Sequence, residues 1–123
     1  MSIDLADVPA RFRAAVEATL TAAGVADGHL AVEVADAGRI HELNRSARGI
    51  DRPTDVLSFP IDGVEGAAGP RELGDVVIYP GLCDDEIEAV VHGVLHLCGY
   101  DHEADQGQML ELQSRIMDEL SGG

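Results

Sequence analysis

The sequence has no tryptophan and no lysine, and aromatic residues make up only 3% of its 123 residues. The hydrophobic core must therefore be filled by Ala, Val, Leu and Ile, and the length predicts one domain that spans residues 1–123. The first 24 residues contain no long apolar run, so we expect neither a signal peptide nor a membrane span. The two cysteines, Cys83 and Cys98, fit a reducing compartment, and a cytoplasmic protein is expected.

Positive charge is also scarce. All eight basic residues are arginines, against 23 acids, and the formal net charge of −15 is unusual for a protein that binds nucleic acid. One segment departs from this balance, because four arginines and only two acids lie within fourteen residues: Arg39, Glu42, Arg45, Arg48, Asp51 and Arg52. Two interpretations remain open, a phosphate-binding surface and ion pairing with the surplus of acids.

The pattern of apolar residues and helix caps predicts the order helix, strand, helix, strand, strand, helix, helix. This order is typical of an α+β fold, in which helices pack on a small mixed β-sheet. The first helix is expected to be capped by Asp7 and to end before Gly24. The later elements are expected at these positions: a strand at 29–35, a helix from Asp36 to about Ala47, strands at 54–59 and 73–79 with a loop at 61–70 between them, a helix that starts at Asp84, and a last helix at 103–120.

The segment that carries the chemistry contains three of the five histidines, His92, His96 and His102. His92 and His96 are four residues apart, so they lie on the same face of a helix. Gly99 is typical of a helix end, and the turn that follows could bring His102 back to the pair. Such a pair also occurs by chance, but the density of histidine favours a metal site.

Imidazole suits zinc best, although nickel, copper and iron(II) also accept it. We expect one Zn²⁺ per chain, with another divalent metal as the alternative. Three protein ligands leave a fourth coordination position for water, which is typical of a catalytic site. Gly93 occupies the position at which HExxH peptidases carry their glutamate base, so that peptidase mechanism is excluded. Asp101 and Glu103 are either assisting carboxylates or solvated turn residues.

The run HGVLHLCGYDH at 92–102 resembles the signature of the YbeY family of bacterial rRNA maturation factors, which are metal-dependent endoribonucleases. Two further segments are similar to that family: ELN at 42–44 followed by RGIDRPTDVLSFP at 48–60, and LGDVVI at 73–78. In the family a helix lies between the LGDVVI strand and the histidine helix. Here only residues 79–91 intervene, so one helix is expected to be missing.

The resemblance implies the same α+β fold and a zinc-dependent endoribonuclease that cuts single-stranded RNA. It further implies a role in rRNA maturation, including 16S rRNA 3′ end processing, and in ribosome quality control. His92, His96 and His102 would hold the metal at the catalytic centre, and Arg48 would neutralise the scissile phosphate. Two weaker candidates are Asn44, to orient the substrate, and Asp55, to hold the loop after Arg48.

Two other function classes remain open from the sequence. The first is a different zinc metallohydrolase, which would need the three histidines but not Arg48. The second is a ribosome-associated binding module in which zinc is structural. The expected partners are single-stranded RNA or rRNA, with the ribosome or its assembly proteins as further partners and no membrane; the oligomeric state is left open.

Overall fold

The computed structural model describes residues 2–25, 27–61, 72–100 and 106–122. A four-stranded sheet in the order β1-β2-β4-β3 forms its centre. Strand β2 is parallel to β1 and β4, whereas β3 runs antiparallel to β4. The prediction of an α+β fold with a mixed sheet and packed helices is confirmed. In chain order the elements are β1 (Ser2–Asp4), α1 (Ala10–Ala22), β2 (Asp27–Val34), α2 (Ala37–Arg48), β3 (Val56–Pro60), β4 (Glu72–Ile78), a 3₁₀ turn (Pro80–Leu82), α3 (Glu86–Leu97) and α4 (Gln108–Leu120).

The hydrophobic core has three parts, and aliphatic side chains fill most of it. Helices α1 and α3 pack on β2 and β4, where Phe12 is the large aromatic side chain among Leu, Val and Ile. Helix α2 covers the sheet through Ile40, which packs with Leu57 and Val77. Helix α4 packs against α3 through a third cluster that contains Met109 and other apolar residues. As the composition predicts, the core depends on branched aliphatic residues for its buried area.

The strand β1 was not expected from the sequence. It has only three residues, which is too short for an alternation of polar and apolar side chains to be recognised. Its backbone pairs with the beginning of β2. This strand extends the parallel part of the sheet by one member.

One predicted helix cap is wrong, and one helix begins two residues later than predicted. Asp7 does not cap α1, whose N-cap is Pro9 without a side-chain hydrogen bond. Instead, Oδ2 of Asp7 lies 2.8 Å from His29 Nε2. His29 Nδ1 lies 2.9 Å from Glu72 Oε2, so the ring of His29 contacts carboxylates from two other segments. Asp85, not Asp84, caps α3, because its Oδ1 accepts from the backbone N–H groups of residues 87 and 88. Asp36 caps α2 as predicted, accepting from the N–H of residue 39 at 2.8 Å.

The connection between β4 and α3 is short. Residues 79–85, all of which the structure describes, contain only the 3₁₀ turn Pro80–Leu82. The expectation that this chain has no α-helix at that place is therefore confirmed.

Most of the predicted loop at 61–70 and the predicted start of the last helix at 103–105 lie outside the described residues. Among the helices of the described part, none is long and apolar enough to cross a membrane.

Candidate metal centre

Helix α3 presents His92 and His96 to one side while its other side is buried. Its apolar residues, among them Val90, Val94 and Leu95, are fully buried in the core. Both histidines are half-buried, and their rings meet edge to face with centroids 4.7 Å apart. The Nε2 atoms of the two rings are separated by 3.1 Å. The predicted pair on one helix face is thus present, with both Nε2 atoms directed at one place.

The other nitrogen of each ring contacts an oxygen atom. His96 Nδ1 lies 2.9 Å from the carbonyl oxygen of Tyr100, and His92 Nδ1 lies 2.8 Å from Oε1 of Gln113 on α4. A carbonyl or amide oxygen can only accept a hydrogen bond, so each Nδ1 carries the proton and donates it. In the neutral rings both Nε2 atoms then present lone pairs, which is the tautomer that binds a metal through Nε2.

This donor set fits a zinc ion. With Zn–N distances of about 2.0 to 2.1 Å and a tetrahedral angle, two ligand nitrogens are separated by about 3.3 to 3.4 Å. The observed 3.1 Å is close to that separation. Two lone pairs this close repel each other unless a cation lies between them, so the arrangement favours a bound metal.

The turn after α3 returns the backbone to the histidine pair. Gly99 has a φ of +96°, a conformation that favours glycine, and its N–H donates to the carbonyl of His96. This reversal is what places the Tyr100 carbonyl beside His96. His102, Asp101 and Glu103 lie outside the described residues. Within residues 2–25, 27–61, 72–100 and 106–122, no group of three or more His, Cys, Asp or Glu side chains is placed to hold an ion.

The absence of a side chain at Gly93 has a packing cause. A Cβ atom there would lie 2.7 Å from Cγ1 of Val76 and 3.2 Å from Oγ of Ser58, both on the sheet. The Ser58 hydroxyl donates to the Gly93 carbonyl oxygen at 3.0 Å. Helix α3 therefore lies directly on β3 and β4 at this point, and a glutamate at position 93 would not fit between them.

Arg48 lines the same cleft as the histidine pair, a cavity of about 870 Å³. It is the last residue of α2. The residue that follows, Gly49, caps the helix with a φ of +70° and donates its N–H to the Arg45 carbonyl. Two neighbouring arginines are paired, Arg39 with Glu33 and Arg45 with Glu42. The hydrogen bond from Arg45 lowers the pKa of the Glu42 carboxyl. The ion-pairing interpretation is therefore confirmed for Arg39 and Arg45, and the phosphate-binding interpretation of Arg48 stays a prediction.

No carboxylate of the described residues pairs with Arg48, whose side chain is exposed. The cleft lining also contains four acidic residues, Asp55, Asp84, Asp85 and Glu88. Asp55 also accepts from the Val56 N–H at 2.8 Å and so holds the turn before β3. The cleft is therefore basic at the end of α2 and acidic at the beginning of α3.

The structure changes the interpretation of Asn44. This residue is 1% exposed and is not among the cleft-lining residues, so it cannot contact a substrate directly. Its Nδ2 donates to the carbonyl oxygen of Arg52 at 2.9 Å, while the N–H of Ile50 donates to the Asn44 carbonyl. Asn44 thus fixes the loop that follows Arg48.

Gln113 is the site residue that the sequence reasoning missed. It lies on a different helix, twenty-one residues after His92, but it lines the cleft and contacts the His92 ring. A signal was present, because position 113 is four residues after Met109 and three before Ile116, both buried. A polar residue that lies on the same helix face as buried apolar residues needs a hydrogen-bond partner. Such a position in a sequence therefore indicates a candidate site residue.

Comparison with known proteins gives consistent matches. A family profile described as Endoribonuclease YbeY matches residues 1–89 and 84–121. The chain is 41% identical to an Endoribonuclease YbeY of Rubrobacter xylanophilus, over 77% of this chain and 70% of that protein. It is 42% identical to one of Alkalilimnicola ehrlichii, over 88% of this chain and 75% of that protein. A solution structure of a Thermotoga maritima protein matches with a TM-score of 0.55 and 32% identity, covering 88% of this chain and 79% of that one.

The same matches bear on the short connection before α3. The two matched segments of the family profile meet at residues 84–89, which include the beginning of α3. The alignment with the Alkalilimnicola protein covers 124 positions, more than the 123 residues of this chain, although only 88% of the chain takes part. That relative therefore has residues within the aligned region that this chain lacks.

Proposed function

The chain belongs to the YbeY family of endoribonucleases, which makes it a phosphodiester hydrolase, and on that premise we propose that it is a zinc-dependent enzyme that cleaves single-stranded RNA. The observation that carries the proposal is the pair of Nε2 atoms 3.1 Å apart, each on a ring whose Nδ1 contacts an oxygen. Family membership implies a metal-dependent enzyme, and the choice of zinc follows from imidazole ligation.

In this proposal His92, His96 and His102 hold the ion, and residues 1–123 act as one catalytic domain. When bound, the ion supplies Lewis-acid chemistry, which polarises a phosphoryl oxygen and promotes the ionisation of water near neutral pH. The turn at Gly99 holds the Tyr100 carbonyl against His96, which keeps that ring in its Nδ1–H tautomer. The site needs no glutamate at position 93, where the sheet occupies the space.

Arg48 binds the phosphate of the substrate. Its guanidinium has no carboxylate partner among the described residues, and it lines the cleft together with His92 and His96. The carboxylates at the beginning of α3 repel the RNA backbone, so the backbone is expected to lie near the end of α2. Arginine suits this role, because its planar guanidinium can donate two parallel hydrogen bonds to one phosphate.

The biological setting that we propose is rRNA maturation in the cytoplasm, including processing of the 16S rRNA 3′ end, and ribosome quality control. The substrate is rRNA in single-stranded form, and the ribosome or its assembly proteins would present it. The support for this setting is family membership. The acidic surface of the chain favours a substrate that is presented by a partner over free binding of RNA.

The test uses the purified full chain with a single-stranded RNA and a duplex of the same sequence. We expect cleavage of the single strand only, loss of cleavage with a zinc chelator, and recovery when zinc is returned. His92→Ala and His96→Ala should lower zinc content by elemental analysis and abolish cleavage. Unchanged zinc content in both variants would contradict the ligand assignment, and unfolding of the protein on chelation would indicate a structural metal instead.

Arg48→Ala tests the phosphate contact separately from the metal. We expect the variant to keep its zinc and to lose about tenfold or more in kcat/KM, because a charged hydrogen bond contributes about 1.5 to 3 kcal/mol. Arg45→Ala is the matched control, since Arg45 is three residues earlier on α2 and already paired with Glu42. Equal loss in the two variants would argue against a specific role of Arg48, and no loss in either would favour a different metallohydrolase.

A further inference from the structure

Gln113 occupies an unusual position for a polar side chain. It lies on α4 between the buried Met109 and Ile116, and α4 packs against α3 through these residues. Its side chain is half-buried and reaches the cleft, where Oε1 lies 2.8 Å from His92 Nδ1. The amide oxygen thus contacts the ring atom of His92 that is farther from His96.

The contact selects one of two tautomers of His92. A neutral imidazole carries its proton on either Nδ1 or Nε2, and only the nitrogen without the proton can bind a metal. An acceptor beside Nδ1 keeps the proton there and leaves the Nε2 lone pair directed at His96 Nε2, 3.1 Å away. Without that acceptor, the proton is free to move to Nε2 and occupy the place of the ion.

We propose that Gln113 is a positioning residue of the metal centre, which fixes the tautomer and the orientation of His92 and thereby raises zinc affinity. The proposal rests on the proposed function, because it assumes that His92 binds zinc. His96 needs no such side chain, because the Tyr100 carbonyl, in the turn after α3, accepts the hydrogen bond from His96 Nδ1. Helix α4 is therefore part of the site and not only part of the scaffold.

The role is one of geometry as well as hydrogen bonding. Rotation of the His92 ring about its side-chain bonds would separate the two Nε2 atoms, and the bond to Gln113 opposes that rotation. Because Gln113 is held by the packing of Met109 and Ile116 against α3, its own position depends on the core. Removal of the hydrogen-bond partner of a histidine ligand typically lowers metal affinity by about 10- to 100-fold.

The experiment measures zinc affinity of the full chain by competition with a chromophoric chelator, with no RNA present. Gln113→Leu places an apolar side chain in this half-buried place but has no acceptor, and we expect zinc to bind about 10- to 100-fold more weakly. Gln113→Glu keeps an oxygen at the same place and should bind zinc at least as tightly as the original protein. Ser114→Ala, at the exposed neighbouring position on α4, is the matched control and should bind zinc unchanged.

Thermal unfolding of the metal-free variants separates positioning from folding. We expect Gln113→Leu to unfold no earlier than the original chain, and Gln113→Met, which also lacks a strong acceptor, to repeat its loss of zinc affinity if the leucine variant does not fold. Equal zinc affinity of the original chain and the two apolar variants would overturn the proposal while leaving the histidine site intact. Failure of the original chain to bind zinc would overturn both the proposal and the metal site on which it rests.

Discussion

The side chains that line the cleft differ in their ability to carry a charge at neutral pH, and Cys83 is the clearest case. Its thiol is half-buried and lies 3.3 Å from the carbonyl oxygen of Tyr79. Burial raises the pKa of the Cys83 thiol, and the nearby carboxylates of Asp55 and Glu86 raise it further. The thiolate, which is the reactive and metal-binding form, is therefore disfavoured.

We accordingly expect Cys83 to be alkylated by iodoacetamide more slowly than free cysteine at pH 8. A raised pKa lowers the thiolate fraction at any given pH, so the rate should still increase with pH where the rate for free cysteine has levelled off. Peptide mapping by mass spectrometry would follow Cys83 separately from Cys98. Alkylation as fast as that of free cysteine would contradict the raised pKa of the Cys83 thiol. Because the thiolate is disfavoured, Cys83→Ala should leave zinc affinity unchanged.

At the scale of single residues, the sequence predicted the pair His92 and His96 because helical spacing alone brings them together. It did not predict Gln113, since the contact joins two helices whose relative position is fixed only by the fold. It was wrong about Asp7, because a histidine on β2 competes for the same carboxylate. Local spacing can be read from a sequence, whereas a choice between two partners depends on tertiary structure.

The contact of α3 with the sheet makes Gly93 sensitive to substitution. In Gly93→Ala the new methyl group would lie 2.7 Å from Val76 Cγ1, so the helix must move away from β4 or the valine must change rotamer. We expect a loss of about 1 to 3 kcal/mol in the free energy of unfolding, as for other overpacked cores. Because His92 is the preceding residue, zinc affinity should fall as well.

Gly38→Ala is the control for this substitution. Gly38 also lies in a helix, but a Cβ atom there would meet only Asp36 Oδ1, at 3.7 Å. Alanine is favoured over glycine in helices by about 0.5 to 1 kcal/mol, so this variant should be as stable as the original chain or more stable. Chemical denaturation of both variants gives the comparison, and a Gly93→Ala protein as stable as Gly38→Ala would refute the close contact.

The end of α2 depends on Asn44. Asn44→Ala removes the hydrogen bond to the Arg52 carbonyl, but it also removes Oδ1, a buried oxygen without a partner in the described structure. The two effects oppose each other, so we expect a net loss of only about 1 kcal/mol in the free energy of unfolding. The loop after Arg48 should become less ordered, and KM for RNA should rise.

Ser46→Ala on the same helix is the comparison for Asn44. Its hydroxyl is exposed and lies 3.5 Å from Glu42, so its removal should change neither stability nor KM. If Asn44→Ala also leaves KM unchanged, the loop does not contribute to the placement of Arg48. Hydrogen exchange of the backbone amides at residues 49–52 would report the loosening directly.

At the scale of elements, periodicity and caps predicted four helices and three strands in their correct order, with boundaries that differ by a few residues. The strand β1 was missed because three residues carry no period. The short connection before α3 was recognised only by resemblance to the family, since nothing in residues 79–85 themselves indicates that an element is absent. Helices are thus predicted well by local pattern, and the short strand is defined by its neighbour in the sheet.

The charge of the whole molecule opposes its substrate. The chain carries a formal net charge of −15, and RNA is a polyanion, so long-range forces between them are repulsive. Within the described residues, the arginine that lines the cleft is Arg48, and four acidic residues line it as well. With Arg48 in its proposed role, attraction between the side chains of the described cleft and RNA is confined to a short range around one guanidinium, in contrast to nucleic-acid-binding proteins with a basic face.

This distribution predicts a weak dependence of RNA binding on salt. When one arginine neutralises one phosphate of a single strand, the logarithm of the binding constant falls with the logarithm of the salt concentration with a slope of about −0.7. KM should therefore rise by no more than about threefold between about 50 and 200 mM salt. Screening of the overall repulsion acts in the opposite direction and reduces the change further. Arg48→Ala should remove the slope or reverse its sign, whereas Arg52→Ala, which is exposed and not among the cleft-lining residues, should keep it. A rise in KM of a hundredfold over the same range would mean that several further cations contact the RNA, and the cleft would then not be the main binding surface.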